Sequence, residues 1–135
     1  MSSVVTIGGD DLMRLAKTCL ASVLLLAATV AGAQAIDGVW LRGDGNARVR
    51  IAPCGDKVCA TNLWIGDTSS GEEVGDRLVM TLARQGEGKF EGTAFDPKRG
   101  RSYTIIISST GDQMSTRGCI LGRLLCRNVT WTAAR

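Results

Sequence analysis

Four of the five cysteines stand in two pairs, and each pair brackets a short turn-forming stretch. Cys54 and Cys59 enclose four residues, and Cys119 and Cys126 enclose six residues around Gly122. Three pairings are open. We favour a bridge across each turn, because cross-strand neighbours beside a tight turn come within disulfide distance without moving the backbone. A four-thiolate zinc site is the alternative, but structural zinc sites usually space their ligands more closely and suit a reducing compartment. We therefore expect two disulfides and no metal ion.

The chain contains no histidine. This excludes a Ser-His-Asp triad and a Cys-His pair, and it leaves no side chain whose ordinary pKa lies near neutrality. Neither cysteine pair has the two-residue spacing of redox-active cysteines. We therefore expect a protein that is not an enzyme and that carries no cofactor.

The longest polar stretch, residues 66–76, carries four carboxylates: Asp67, Glu72, Glu73 and Asp76. A calcium site is one interpretation, but the stretch lacks the alternating oxygen ligands of a known calcium loop, which favours a solvated surface loop. An acid and base pair for glycosides would need two carboxylates held across a cleft, and nothing in the sequence positions them so. We keep this loop as a candidate surface for binding another protein.

The segments that must position these groups alternate between apolar and polar residues. Val49 and Ile51, for example, fall on one face, and Arg48 and Arg50 on the other. About eight such segments lie between clusters of glycine, aspartate and serine, and no stretch has helical apolar spacing. Short connections favour antiparallel pairing of sequential strands. The sequence predicts an all-β domain, a small up-and-down barrel whose closure removes exposed edges, with a two-sheet sandwich as the alternative.

Gly38-Val39-Trp40 opens the first strand and is similar to the Gly-x-Trp signature of lipocalin-type, calycin-like barrels. In those barrels the tryptophan plugs one end and an arginine of the last strand packs over it, a part for which Arg127 is our candidate. An eight-stranded barrel can enclose one small ligand or be filled by its own side chains. Trp40, Phe90 and Tyr103 are our candidate wall residues for such a ligand.

Trp64 and Trp131 are interpreted as large core residues. Cross-strand counting from a Cys54–Cys59 pair places Trp64 opposite Val49, on the buried face.

The first 35 residues are typical of a secretory signal peptide. An apolar run follows basic residues and ends at Ala33-Gln34-Ala35, whose small side chains fit a signal peptidase that cuts before Ile36. Met13 is an alternative start. The apolar run is shorter than the roughly 20 residues of a membrane-spanning helix, so we expect no stable membrane anchor after cleavage, although an uncleaved anchor helix is the alternative. Residues 36–135 are enough for one domain.

The order of these features resembles a bacterial secreted family, domain of unknown function 2147. The motifs that carry the likeness are GVW, VRIAPCGDKVC, VGDRLVM, AFDPKRG and GCILGRLLCRNVTW. The likeness covers almost all of Gly38 to Trp131. The chain departs from the family at Ala60, where glycine is common, and at Ala133, where arginine is usual. The resemblance implies a small secreted β-rich domain and carries over no catalytic residue.

Our leading hypothesis is a periplasmic or secreted domain that binds a small, largely apolar ligand in the mouth of the barrel. The alternative is a protein-interaction or inhibitor module of the cell envelope that acts through residues 66–76. An enzyme is the third. The net charge is only +3, and basic residues are scattered along the chain, so we expect no nucleic-acid partner.

Overall fold

The computed structural model describes residues 35–134 and contains eight β-strands there. The strands are β1 (Gly38–Arg42), β2 (Ala47–Cys54), β3 (Lys57–Ile65), β4 (Arg77–Gly86), β5 (Lys89–Asp96), β6 (Arg101–Thr110), β7 (Gln113–Ile120) and β8 (Leu125–Ala133). Residues 1–34, which hold nearly all of the predicted signal peptide, lie outside the described residues. Within the described part of the chain, no helix is long and apolar enough to cross a membrane.

Each strand pairs antiparallel with the next, and β8 pairs with β1 to close the barrel. At this seam Trp40 lies opposite Ala133 and Arg42 lies opposite Trp131. The predicted up-and-down barrel is therefore confirmed over the sandwich. Closure leaves no strand with a free row of backbone hydrogen-bonding groups.

The two ends of the barrel follow from this topology, because alternate connections between antiparallel strands meet at the same end. One end, which we call the open end, carries the connections at residues 43–46, 66–76, 97–100 and 121–124. The other, the closed end, carries those at residues 55–56, 87–88 and 111–112.

The closed end is filled by the protein's own side chains. The indole Nε1 of Trp40 donates a hydrogen bond to the backbone oxygen of Ile36 at 2.9 Å, which satisfies the polar atom of this buried ring. Around it packs a cluster of buried apolar residues that includes Ile36, Ile51, Phe90, Ile107 and Met114. The tryptophan of the Gly-x-Trp motif therefore lies in the core of this end.

Trp64 does not lie on the buried face, and the prediction for this residue was wrong. The pairing shifts within the β2–β3 hairpin: Val49 lies opposite Asn62, whereas Arg48 lies opposite Trp64. Leu63 is the extra residue of this β-bulge. Because side chains alternate along a strand, one extra residue moves the next side chain to the other face. Trp64 is 49% exposed as a result.

Candidate ligand cavity

A cavity of about 850 Å³ occupies the barrel above the packed core and reaches the open end. This volume lies in the usual range of small-molecule sites. Its floor and walls are mostly apolar and include Trp40, Val49, Ile51, Ala60, Leu78, Met80, Tyr103, Ile105, Val129 and Trp131. Its rim is polar and charged. The barrel interior is thus filled by side chains in its closed half and contains the cavity in its open half.

Of the three predicted wall residues, Trp40 and Tyr103 line this cavity. Phe90 does not belong to the lining and is only 4% exposed within the closed-end core. The reason is its position near the start of β5, which begins at the closed end. Trp131 lines the cavity as well, and its Nε1 donates a hydrogen bond to Thr116 Oγ1 at 3.0 Å. This indole is therefore half-buried with its polar atom satisfied.

The loop of residues 66–76 is bound to the cavity rim by an ion pair. Arg42 donates hydrogen bonds to both carboxylate oxygens of Glu72, from Nη1 to Oε1 at 2.6 Å and from Nη2 to Oε2 at 2.9 Å. Its Nε also lies 3.0 Å from Asp44 Oδ1. The hydrogen bond from Arg42 lowers the pKa of Glu72 against the effect of burial. The same bond is the largest cause that raises the pKa of Arg42.

A second group of contacts binds the loop to the β5–β6 turn. Lys98 Nζ lies 3.1 Å from Asp76 Oδ1 and 3.2 Å from Glu73 Oε1. Arg99 donates to the backbone oxygen of Gly71 at 3.0 Å and to Asp96 Oδ2 at 3.0 Å. Partial burial by itself raises the pKa of Asp76. The hydrogen bonds from Lys98 and from the Glu73 N–H, together with the charges of Lys98 and Arg99, outweigh it, so that this pKa is lowered.

Asp67 completes the attachment of the loop. Its backbone N–H donates to Asn46 Oδ1 at 2.6 Å, and its carboxylate accepts a hydrogen bond from the Ser69 N–H at 2.9 Å. The four acidic residues of the loop therefore contact groups of this protein. Among residues 35–134 no cluster of acidic or cysteine side chains is arranged to hold a metal ion.

Arg127 lies at the cavity and not against Trp40, so its predicted stacking role was wrong. On β8, Arg127 lies opposite Gly118 of β7. It is six residues from Ala133, which is the residue opposite Trp40 at the seam. Six residues of strand span about 20 Å. The position that faces Trp40 is Ala133, where the resemblance implies arginine. Sequence reasoning missed the cavity position of Arg127 because it requires the register of the closing strand.

The β7–β8 turn carries an exposed apolar tip that the sequence analysis also missed. Leu121 is 70% exposed and Leu124 is 82% exposed. Between them Arg123 forms a salt bridge with Glu91. A small cleft beside this turn is lined by Tyr103, Gly118, Ile120, Leu125, Cys126 and Arg127. The available signal was the run ILGRLL, which does not alternate in polarity as a solvated turn does.

Both predicted disulfides are present. The Cα atoms are 5.7 Å apart in Cys54–Cys59 and 4.1 Å apart in Cys119–Cys126. The second pair lies directly across the β7–β8 ladder, whereas Cys59 lies opposite Ala52, so the first bridge runs diagonally. Two disulfides in so small a domain suit an oxidising environment outside the cytoplasm.

Fold and site together define a small, disulfide-stapled antiparallel β-barrel with one end packed and one end open to a cavity. The chain belongs to the family of uncharacterised proteins conserved in bacteria known as domain of unknown function 2147, whose model matches residues 38–133. The match runs from the first residue of β1 to the last residue of β8. It therefore includes both disulfides and the cavity. No curated protein and no solved structure matches the chain.

Proposed function

We propose that this protein is a periplasmic, non-enzymatic domain that binds a small molecule with an apolar body in the barrel cavity. The observation that carries the proposal is the cavity of about 850 Å³, with an apolar floor at Trp40 and an outlet at the open end. A filled interior would have argued against a ligand. Each CH₂ group that moves from water into such a site contributes about 0.8 kcal/mol, so a ligand chain of several carbons is the matching chemistry.

The carboxylates at the cavity rim support a binding role over an enzymatic one. Glu72 and Asp76 are held by basic side chains that lower their pKa values, so both are ionised at neutral pH. A general acid needs a proton to give at the working pH, and a general base is most effective when its pKa lies near that pH. The chain contains no histidine, and Glu72 and Asp76 suit neither role.

Export to the periplasm is supported by two independent features. The predicted signal peptide provides a route of export, and the disulfides Cys54–Cys59 and Cys119–Cys126 persist only where thiols are not kept reduced.

An interaction module of the cell envelope is the second candidate function, and one observation favours it. The exposed Leu121 and Leu124 form an apolar surface at the open end, and such surfaces commonly bind a partner. This places the candidate surface on the β7–β8 turn. The loop of residues 66–76 is less suitable, because its carboxylates already contact Arg42, Lys98 and Arg99.

The cavity can be tested by filling it. A Cβ atom built on Gly118 meets no atom within 4 Å, so the side chain of Gly118→Leu begins in open space at the cavity. We expect dodecanol to change the fluorescence of Trp40 and Trp131 in the native protein. Gly118→Leu should weaken this binding at least about tenfold, since overpacking costs about 1–3 kcal/mol.

The matched control is Arg117→Leu, which puts a leucine at the neighbouring position of β7. Arg117 lies on the outer face and does not line the cavity. It should bind dodecanol like the native protein. Equal binding by native protein and Gly118→Leu would contradict a ligand in the cavity. Native mass spectrometry of the protein taken from the periplasm separates the two candidates: a bound small molecule supports the cavity function, and a bound protein supports the interaction module.

A further inference from the structure

We propose that the cavity selects single-chain amphiphiles with an anionic head, which the guanidinium of Arg127 binds at the open end. This inference rests on the proposed function and names the chemical class of its ligand. It follows from which charged side chains at the cavity rim have ion-pair or hydrogen-bond partners among the described residues and which do not.

Four arginines of the described part of the chain line the cavity. Arg77 is exposed and, by alternation with the wall residue Leu78, lies on the outer face of β4, whereas Arg42 and Arg99 have partners within the protein. Arg42 is paired with Glu72 and Asp44, and Arg99 is paired with Asp96. Arg127 also lines the cavity, yet no carboxylate among residues 35–134 lies within salt-bridge distance of it. Its five N–H donors form a planar fork that fits a carboxylate or phosphate through two parallel hydrogen bonds.

The surroundings of Arg127 suit the junction between an anionic head and an apolar chain. Tyr103, Ile120 and Leu125 line the cleft beside it, and Gly118 lies opposite on β7. Since Gly118 has no side chain, the space beside it on β7 is open. Arg127 is itself exposed, so an anionic head reaches the guanidinium from the solvent while its chain meets these apolar side chains.

The geometry of the inner face directs the rest of the ligand into the barrel. Arg127, Val129 and Trp131 alternate on the cavity side of β8. Trp131 is four residues from Arg127, about 13 Å along the strand. When the head of a ligand binds Arg127, its apolar chain therefore extends along the apolar wall towards the closed end.

The acidic groups of the rim do not provide an equivalent site for a cation. After the hydrogen bond from Arg42, the charge of Arg127 also helps to lower the pKa of Glu72. Both oxygens of this carboxylate already accept hydrogen bonds from Arg42. Asp96 accepts three hydrogen bonds, two from the backbone N–H groups of Lys98 and Arg99 and one from Arg99 Nη1. A cationic head would find these oxygens already occupied.

The test compares dodecanoate, dodecanol and dodecyltrimethylammonium, which share one chain and differ in the head. Titrations use the folded, oxidised protein at pH 8, below the micelle concentrations, with calorimetry and tryptophan fluorescence. We expect dodecanoate to bind at least about tenfold more tightly than dodecanol, because hydrogen bonds to a charged group are among the strongest in proteins. The ammonium compound should bind most weakly.

Arg127→Gln should bind dodecanoate and dodecanol with about the same affinity, so that the advantage of dodecanoate is lost. Arg117→Gln, which removes the same charge from the outer face of the neighbouring strand, should retain the advantage. Equal affinities in the native protein, or an advantage that survives in Arg127→Gln, would overturn the anionic-head proposal while dodecanol binding still supports the cavity function. Failure of every probe to bind the folded protein would overturn both.

Discussion

Glu72 is the residue through which the long loop contacts the inner side of the barrel. Its two hydrogen bonds with Arg42 hold its pKa below the ordinary value, so the pair stabilises the fold when Glu72 is ionised. This stabilisation is fully present above the unfolded-state pKa of about 4.3 and is lost as the pH falls through the lower, folded-state pKa. We expect Glu72→Gln to reduce the free energy of unfolding at pH 7 by about 1 kcal/mol.

Urea unfolding at pH 7 and at pH 3 measures this change. The difference between Glu72→Gln and the native protein should be smaller at pH 3, because that pH lies below the unfolded-state pKa and protonation of Glu72 in the unfolded chain offsets part of the ion pair. Glu87→Gln is the control, because Glu87 is exposed in the β4–β5 turn and forms no salt bridge among the described residues. A Glu72→Gln loss of the same size at both pH values would show that the ion pair is not its cause.

Single residues differ in how far the sequence determines their place. Val49 and Ile51 could be assigned to the buried face because simple alternation holds along β2. Trp64 could not, because no glycine or proline marks the bulge at Leu63. Arg127 was misplaced for another reason: which residue of β8 meets Trp40 depends on how the barrel closes, and local spacing contains no information on that register.

At the scale of elements, each disulfide closes one hairpin. Replacing Cys54 and Cys59, or Cys119 and Cys126, by alanine should lower the free energy of unfolding by about 2 kcal/mol in each case, because the unfolded chain gains the entropy of a short loop. Alanine suits both pairs because Cys59 and Cys119 are buried. Since the bridges lie in the separate β2–β3 and β7–β8 hairpins, the losses should add to about 4 kcal/mol.

Urea unfolding of the two double variants and of their combination measures these losses. Native protein reduced with dithiothreitol should match the combined variant. A combined loss no larger than that of one pair would contradict independent hairpins.

Connections between strands were partly predictable. Turn residues such as Gly55-Asp56 and the hairpin cysteines indicated where the chain reverses, and the disulfides followed from that placement. The course of residues 66–76 was not predictable, because it depends on Arg42 from β1 and on Lys98 and Arg99 from the β5–β6 turn. These partners are distant in sequence. The carboxylates therefore looked like a free surface and instead bind their own barrel.

At the scale of the whole molecule, the sequence determined the number and order of strands better than the space they enclose. Eight alternating segments with short connections leave few arrangements other than a closed meander. The volume inside depends on which inward positions carry small residues. Ala60 and Gly118 leave space at the cavity, whereas Phe90 fills the closed end. Assigning inward residues to one half or the other requires the stagger of all eight strands.

This division predicts that stability depends mainly on the closed end. Phe90 is only 4% exposed in the packed core and does not line the cavity, so Phe90→Ala should leave a void and cost about 3–5 kcal/mol in urea unfolding. Leu78 is half-buried at the cavity wall, where the space beside it is already open. Leu78→Ala should therefore cost about 1 kcal/mol, mainly because CH₂ and CH₃ groups are no longer partly transferred from water into the protein on folding. Equal losses would mean that the open half is packed as tightly as the closed one, and the cavity would then not persist in solution.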